Sequence, residues 1–436
     1  MRKLCAVACL ISLVALSASS ALAGGIDNKT NWSAEYIRTL NRNAATDSAD
    51  IVMYNPAGVM KMDDGLYTNI SVHGVFKTYQ NVVDGVNLEQ DEPSYVPGIF
   101  AVYKKDRWSG IFGLSNVVGG GKVEFKNGDV TTLVLGQRLI PGFNQQLAAG
   151  GVPSMFWYSG VTDMSLDAEQ TGLGFTLGGA FEINEMFSVA LAARYLTSER
   201  KANGHVTAAA QNSLPGVNPP FTQTVDYEEE ADGWGAVLGL NIAPMEGLNI
   251  GLRYESKIEL DFDATVNQDT NSLSPLVKVL PALGINSGSS RPRDLPAILA
   301  GGVSYQCSDR VRTEANFTYY FNEDADWGGD EDLYDNGYDV GIAIEYAISD
   351  SVKGSLGYLY TSTGADAENM TPELPELDAN SFGMGLVWSA NDRLDFNVGL
   401  GHVFYKDADF TTATGTHIEY KKDITFLAFG IQYKWF

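Results

Sequence analysis

The sequence predicts an all-β protein, a transmembrane antiparallel β-barrel of about 14 strands with an N-terminal plug (hatch) inside its lumen. Three observations carry this expectation. The chain opens with an export signal and has no later apolar run long enough for a membrane helix. Its candidate strands are apolar on one face and polar or charged on the other. The connections between them alternate in length. Tight turns fall at Lys104-Lys105-Asp106, Ile183-Asn184-Glu185, Ala243-Pro244-Met245-Glu246, Cys307-Ser308-Asp309, Ile348-Ser349-Asp350 and Ala390-Asn391-Asp392. Between them lie long polar or Gly-rich stretches, such as 119–168, 202–223 and 267–292. Short turns on the periplasmic side and long loops outside are the asymmetry of an outer-membrane barrel. A soluble sandwich has no reason to sort its loops by parity.

Arg2 and Lys3 form a positive n-region, Leu4 to Leu16 is apolar apart from Ser12, and Ala21-Leu22-Ala23 is an A-x-A cleavage site. Residues 1–23 therefore read as a signal peptide that is removed on export. The apolar run is shorter than the roughly 20 residues of a membrane helix. Cys9 lies inside that run rather than after it, unlike a lipoprotein cysteine. Only Cys307 remains in the mature chain, so no intrachain disulfide forms.

The net charge is −25, and becomes more negative once Arg2 and Lys3 leave. Nucleic acid, which requires a basic face, is excluded as a partner. Acidic residues concentrate in the expected loops at 84–92, 228–232, 323–339 and 366–378. They either keep the loops solvated or bridge divalent cations at the cell surface. No His or Cys cluster has metal-ligand spacing, and 324–335 lacks the order of a calcium loop. No metal or other cofactor is expected.

Residues 24–64 show no alternation and form the expected plug. Within it, 44–53 suits a short helix that starts near Asp47 or Ser48. In Asn55-Pro56-Ala57-Gly58, Pro56 lacks a backbone donor and restricts Asn55, which makes a turn. The barrel then spans 65–436. Its strands begin near Gly65, Ser94, Arg107, Glu169, Met186, Thr224, Gly247, Arg293, Asp309, Asp335, Ser351, Asp378, Arg393 and His417. A barrel of this size is too wide for its wall side chains to fill.

In the fifth strand Phe187, Val189, Leu191, Ala193 and Tyr195 are expected to face out, with Ser188, Arg194, Ser198 and Arg200 facing in. In the seventh, Leu248, Ile250, Leu252, Tyr254, Ile258, Leu260 and Phe262 fall on one face. Asn249, Arg253, Glu255, Lys257, Glu259 and Asp261 fall on the other. In the last strand Leu427, Phe429, Ile431, Tyr433 and Trp435 alternate, and the chain ends at Phe436.

The stretch 119–168 is too apolar for a simple loop. Leu133, Val134, Leu135, Leu139, Ile140, Phe143 and Leu147 recur at helical spacings, Pro141-Gly142 divides them into two expected short helices, and Met155-Phe156-Trp157-Tyr158 follows. So much exposed apolar surface needs a partner. It either packs on itself as a cap or forms a groove for hydrophobic molecules.

The plug, its Asn55-Pro56-Ala57-Gly58 turn, the barrel size and the apolar external loop together resemble the FadL/TodX (OMPP1) family. These are outer-membrane transporters for long-chain fatty acids and other hydrophobic compounds. Arg253-Tyr254-Glu255-Ser256-Lys257-Ile258 is similar to the family's Tyr-Arg-Ser-x-hydrophobic strand, with Glu255 where Arg is usual. Asp294-Leu295-Pro296-Ala297 resembles the Leu-Pro that opens a later strand. Leu374-Pro375-Glu376-Leu377-Asp378-Ala379-Asn380 resembles a Leu-Pro-Asp-x-x-Arg pattern without its Arg.

The resemblance implies a non-enzymatic, monomeric passive channel in the bacterial outer membrane. It would be surrounded by outer-membrane lipid and lipopolysaccharide, and recognised by the barrel assembly machinery through Phe436. Ligand would enter at the external groove, where Leu139, Phe143, Leu147, Phe156 and Trp157 are the candidates. Arg194, Arg253 and Lys257 are candidates for a carboxylate head group. Alternatively they pair with wall carboxylates such as Glu255 and Glu259, and the substrate is uncharged. The plug turn at Asn55, Pro56, Ala57 and Gly58 would gate. Ligand would leave sideways beside a kink in the third strand, at Gly113, Gly119 and Gly120, unless these glycines simply end that strand.

Two other classes compete. A general diffusion porin predicts polar loops and no plug. An outer-membrane lipid hydrolase needs a nucleophile and base, and the chain offers four histidines but no G-x-S-x-G segment.

Overall fold

In a bilayer every backbone N–H and C=O of the wall needs a partner within the protein, so a sheet there has to close. The computed structural model, which describes residues 32–413 and 415–436, shows that closure. The expected signal peptide and residues 24–31 lie outside the described residues. Fourteen antiparallel strands follow one another around the barrel. They are β1 (Gly65–Val83), β2 (Val86–Gln90 and Ser94–Lys105), β3 (Trp108–Phe125), β4 (Tyr158–Glu182), β5 (Phe187–Ala210), β6 (Phe221–Met245) and β7 (Leu248–Glu255 and Asp261–Asn271). Then come β8 (Ser290–Pro292 and Ile298–Ser308), β9 (Val311–Tyr320), β10 (Gly337–Ser349), β11 (Val352–Ser362), β12 (Ala379–Asn391), β13 (Leu394–Tyr405 and Ala408–Thr411) and β14 (His417–Lys434). The last strand pairs with the first from Tyr67↔Lys434 to Val83↔Ile418. At that seam the Trp435 indole N–H donates to Thr68 Oγ1 at 3.1 Å, and both Trp435 and Phe436 are exposed.

Large apolar residues such as Ile70, Leu177, Leu191, Ile342, Leu356 and Phe429 are exposed on the outside, where they form the lipid-facing band. Strands β4, β5 and β6 are 25, 24 and 25 residues long, against the ~9–11 residues a tilted strand needs to cross. They rise above the membrane and shorten the loops read from the sequence. The acidic stretch 228–232, expected in a loop, lies within β6. The stretch 84–92 is likewise no loop. Asp84 and Gly85, with φ 47° and 84°, form a two-residue turn into β2. Positive φ at both central residues is the hairpin geometry that Asp-Gly favours.

The seventh strand departs from the expected two faces. Leu252 and Tyr254 face out and Arg253 is buried, as read. Above the interruption at 256–260 the faces exchange: Ile258, Leu260 and Phe262 are buried, while Glu259 and Asp261 are exposed. Val237 pairs with Glu255, but Glu230 pairs with Asp263, so β7 carries one residue more than β6 across this interval. A one-residue slip moves every following side chain to the other face. The physical reason is the change of surroundings: above the lipid, water lies outside the wall and apolar groups pack within.

The described part of the plug, 32–64, is buried in the lumen. It holds α1 (Ala34–Thr39) and two 3-10 turns, Ala49–Met53 and Pro56–Lys61. The helix expected over 44–53 forms only from Ala49, after Ser48. Ser33 caps α1, its hydroxyl accepting from Tyr36 N at 2.9 Å. Plug charges are neutralised in place: Arg42 pairs with the equally buried Asp50 at 2.6 Å, and Arg38 pairs with Glu345 of β10. Asn41 Nδ2 donates to the wall carbonyls of Ile342 at 3.0 Å and Tyr358 at 3.1 Å. The approach is so close that a Cβ on Gly357 would overlap the carbonyl oxygen of Thr39.

The external connection between β3 and β4 contains one helix, α2 (Val130–Ala149), where two were expected. Pro141 lies inside it. Proline in a helix interior costs about 3 kcal/mol. Packing of Leu139, Ile140, Phe143 and Leu147 around Tyr158, Ala208 and Phe221 spans the proline and offsets that cost.

Candidate functional site

Beneath α2 the tops of β3 to β6 converge with the 279–283 turn and the loop at 371–374. They surround a chamber of about 1000 Å³ of empty space, part of it open to solvent. Its walls are mostly apolar, from residues such as Val123, Leu135, Leu166, Val225, Leu280 and Leu374. Arg200, on the inner face of β5, is the cation of interest. Its guanidinium lies 5.4 Å over the Phe262 ring, and its nearest carboxylate is Glu229 at 3.9 Å. Glu229 is engaged elsewhere, accepting from Arg291 Nη2 at 2.5 Å and Nε at 3.0 Å. Among the described residues the Arg200 guanidinium donates no hydrogen bond, although its side chain is only 12% exposed.

On the other side of the chamber, Asp129 caps α2 and accepts from Thr132 N at 2.9 Å. It also hydrogen-bonds Glu373. Burial and, next, the Asp129 charge push the Glu373 carboxyl up to about 8, and burial raises Asp129 as well. Both carboxyls at the roof of the chamber therefore favour their protonated forms.

The residues singled out from the sequence are distributed differently. Phe143 is buried, with its ring 4.4 Å from Phe221 and 6.1 Å from Tyr158, and Leu139 and Leu147 pack on the same cluster. The Trp157 indole donates to Val152 O at 3.0 Å, and the Phe156 carbonyl accepts from Asn218 at 2.6 Å. Both rings are half-buried. None of these five lines the chamber. Arg194 and Arg253 both pair with Glu255, the latter at 2.8 Å, and Arg253 also donates to the plug carbonyl of Met53. Lys257 pairs with Asp294 at 2.6 Å. Glu259, considered as a partner for these cations, is on the outside.

The plug turn docks on β5 and β6. Asn55 Nδ2 donates to Asn241 Oδ1 at 2.8 Å and to Ala45 O at 3.0 Å. Pro56 opens the 3-10 turn, Ala57 O accepts from Ser188 Oγ at 2.8 Å, and a Cβ on Gly58 would collide with the Asn55 carboxamide.

In β3, Gly113 sits in a regular ladder opposite Phe100. Register shifts occur between Asn116 and Val118 and again between Val118 and Gly121. Gly119 has φ 96°, which a side chain tolerates poorly. The strand continues past its glycines to Phe125. Pairing of β2 with β3 ends at Gly98↔Ser115. Above that point Lys77 Nζ reaches across from β1 to Gly120 O at 2.5 Å and Ser94 Oγ at 2.9 Å. Gly120 also lines the chamber, which places this seam at its edge.

Sequence reasoning did not select Arg200, Glu229 or Glu373. The inward face of Arg200 was readable from strand parity. The convergence of Glu229 and Glu373 on the same chamber was not, because it depends on contacts between segments far apart in the chain.

Known structures repeat the fold. The chain resembles the crystal structure of a Pseudomonas aeruginosa FadL homologue at 14% identity and TM-score 0.68, over 95% of this chain and 100% of that one. It resembles the Pseudomonas putida toluene transporter TodX at 12% identity and TM-score 0.61, over 90% and 96%. It resembles the Ralstonia pickettii toluene transporter TbuX at 14% identity and TM-score 0.59, over 89% and 94%. A comparison with curated proteins gives no match. Residues 14–435 match the family described as outer membrane protein transport protein (OMPP1/FadL/TodX). The chain therefore belongs to the OMPP1/FadL/TodX family of non-enzymatic outer-membrane β-barrels that transport hydrophobic compounds.

Proposed function

We propose that this barrel carries single-chain amphipaths with an acidic head group, long-chain fatty acids being the type, through the chamber beneath α2. The observation that carries the reading is the Arg200 guanidinium, which lines an apolar chamber without a hydrogen-bond acceptor. A guanidinium only 12% exposed, with its paired carboxylate as far as 3.9 Å away, is poorly satisfied, and a ligand carboxylate supplies two strong acceptors. The apolar walls would take the chain. Toluene, the compound named for two of the similar structures, would occupy those walls and leave Arg200 unsatisfied.

In this reading α2 and residues 150–157 form the roof over the site, and Leu139, Phe143 and Leu147 hold that roof in place. Ligand passes down as the plug turn at Asn55 to Gly58 shifts, and leaves sideways at the β2–β3 seam. The buried plug supports a selective channel over a general porin.

Displacement of a fluorescent fatty acid from the purified barrel tests the reading. Arg200→Gln should weaken fatty-acid binding and leave toluene binding unchanged. Equal affinity of both proteins for fatty acid would overturn it, as would mass spectra of co-purified ligand that contain only neutral hydrocarbons.

A further inference from the structure

The wall has a second discontinuity, far in sequence from β3. Pairing of β6 with β7 stops at Val237↔Glu255 and resumes at Glu230↔Asp263. At the lower edge Ser256 N donates to Ala236 O, and Ala236 N to Ser256 Oγ, both at 2.9 Å. Above it, among the described residues, no backbone hydrogen bond joins 232–235 of β6 to 257–260 of β7. The other edge of β7 is sealed: Ile258 N donates to Leu295 O at 3.0 Å, and Leu295 N to Ile258 O at 2.9 Å. Here β7 is bonded to β8 and only packed against β6.

The Ile258 side chain and the β7 backbone close this seam from within. A Cβ built on Gly235 would stand 2.8 Å from an Ile258 carbon, and one on Gly233 would stand 2.8 Å from Ile258 and overlap the Glu259 carbonyl oxygen. Gly233 thus admits the close approach of the β7 backbone, and the slot beside Gly235 is the one that Ile258 occupies. Trp234, between the two glycines, points the other way and is 67% exposed on the outer surface, 4.9 Å from the Tyr195 ring. The next outward residues above it, Asp232 and Glu230, are charged, so the seam lies at the outer edge of the lipid-facing band. On the inside, Ile258 packs in one apolar cluster with Leu196, Ala231, Leu260 and Phe262. Phe262 carries the Arg200 guanidinium on its face, and Arg200 lines the chamber. An apolar route therefore runs from the lipid face at Trp234 to Arg200, with Ile258 across it.

We infer that the β6–β7 seam is a second lateral passage, through which single acyl chains in the outer leaflet exchange with the chamber. A change of the Ile258 rotamer clears the slot beside Gly235 without breaking a backbone hydrogen bond between β6 and β7. The slot is one side chain wide, which admits an extended hydrocarbon chain and excludes a phospholipid with two. An acidic head group that follows the chain inward meets Arg200. This rests on the chamber being the transport site.

The test uses the full barrel in nanodiscs and a long-chain fatty acid with a diazirine on its tail. The probe is either premixed into the bilayer or added in solution, and crosslinked residues are identified by mass spectrometry. Premixed probe should label Ile258, Leu260 and Phe262 as well as Trp234. Ile258→Trp should lower labelling of Leu260 and Phe262 several-fold and Ile258→Ala should raise it, with labelling of Val117 and Val118 at β3 unchanged. Ile258→Ala alone decides the question if the tryptophan variant fails to assemble, as judged by the mobility of the unheated barrel on gels. Labelling that stops at Trp234, or that reaches Phe262 equally whatever stands at 258, would overturn the passage. Failure of the chamber reading is distinct: probe from solution would then leave Leu135 and Tyr227 unlabelled.

Discussion

Arg253 donates a hydrogen bond to the carbonyl oxygen of Met53, so a wall cation suited to a carboxylate ligand is spent on the plug. Arg253 is buried and also pairs with Glu255, which Arg194 shares. The substitution Arg253→Ala frees Met53 while Glu255 keeps Arg194. Breaking a buried charged pair costs about 3–5 kcal/mol, so the barrel should melt at a lower temperature. The loosened plug should raise single-channel conductance in planar bilayers and speed liposome swelling with small sugars. Unchanged conductance would show that the remaining contacts, such as Arg38 with Glu345, hold the plug alone.

The raised carboxyls of Asp129 and Glu373 make the chamber roof sensitive to pH. A carboxyl whose pKa is raised by folding stabilises the folded arrangement while protonated. That stability falls as pH rises from the ordinary carboxylate range through about 8, the value for Glu373. The loop at 371–374 should therefore exchange its amide hydrogens faster, relative to the intrinsic rate, above this range than below it. In Glu373→Gln the carboxamide does not titrate, so the part of the pH dependence that extends to about 8 should disappear and only that of Asp129 should remain. An equal pH dependence in both proteins would assign it to another group.

Phe143 bears on how the external helix works. Its ring is buried against Phe221 and Tyr158. Truncation of a buried Phe costs about 3–5 kcal/mol. Phe143→Ala should therefore expose α2 and residues 150–157 to protease while the barrel keeps its heat-modifiable mobility. Fatty-acid affinity should fall as the roof loosens. A change in affinity with no change in protease sensitivity would mean that Phe143 touches ligand directly.

The barrel was legible because period-2 alternation and turn chemistry are local. Most strand starts and six short turns follow from neighbouring residues alone, while β4 begins at Tyr158, well before the expected Glu169. Three features were hidden for separate reasons. Ile258, Leu260 and Phe262 keep the same parity as Leu252 and Tyr254, so the inserted residue near Ser256 changes the face without changing the pattern. Asp84-Gly85 is a hairpin signal, but acidic neighbours made it look like the start of a loop. Pro141 signals a break in any isolated helix, and only packing on Tyr158, Ala208 and Phe221 lets α2 continue through it. The chamber needed more still, since Arg200, Glu229 and Glu373 come from segments that meet only when the barrel closes.

Lys77 provides the sharpest test of the exit at β3. Its ammonium spans the gap left where β2 stops pairing with β3, holding Gly120 O at 2.5 Å and Ser94 Oγ at 2.9 Å. Hydrogen bonds from a charged donor contribute about 1.5–3 kcal/mol. Lys77→Met removes both and leaves Gly120 O with Ser94 Oγ at 3.3 Å. If the seam is the way out, its opening becomes easier by up to that amount. Transfer of a fluorescent fatty acid from loaded protein into vesicles should then accelerate roughly 10-fold or more. Affinity should change little, because Lys77 does not line the chamber and Arg200 is untouched. Unchanged transfer, together with faster hydrogen exchange at Gly120 and Gly121, would mean that the seam opens without carrying ligand. The exit would then have to lie elsewhere in the wall.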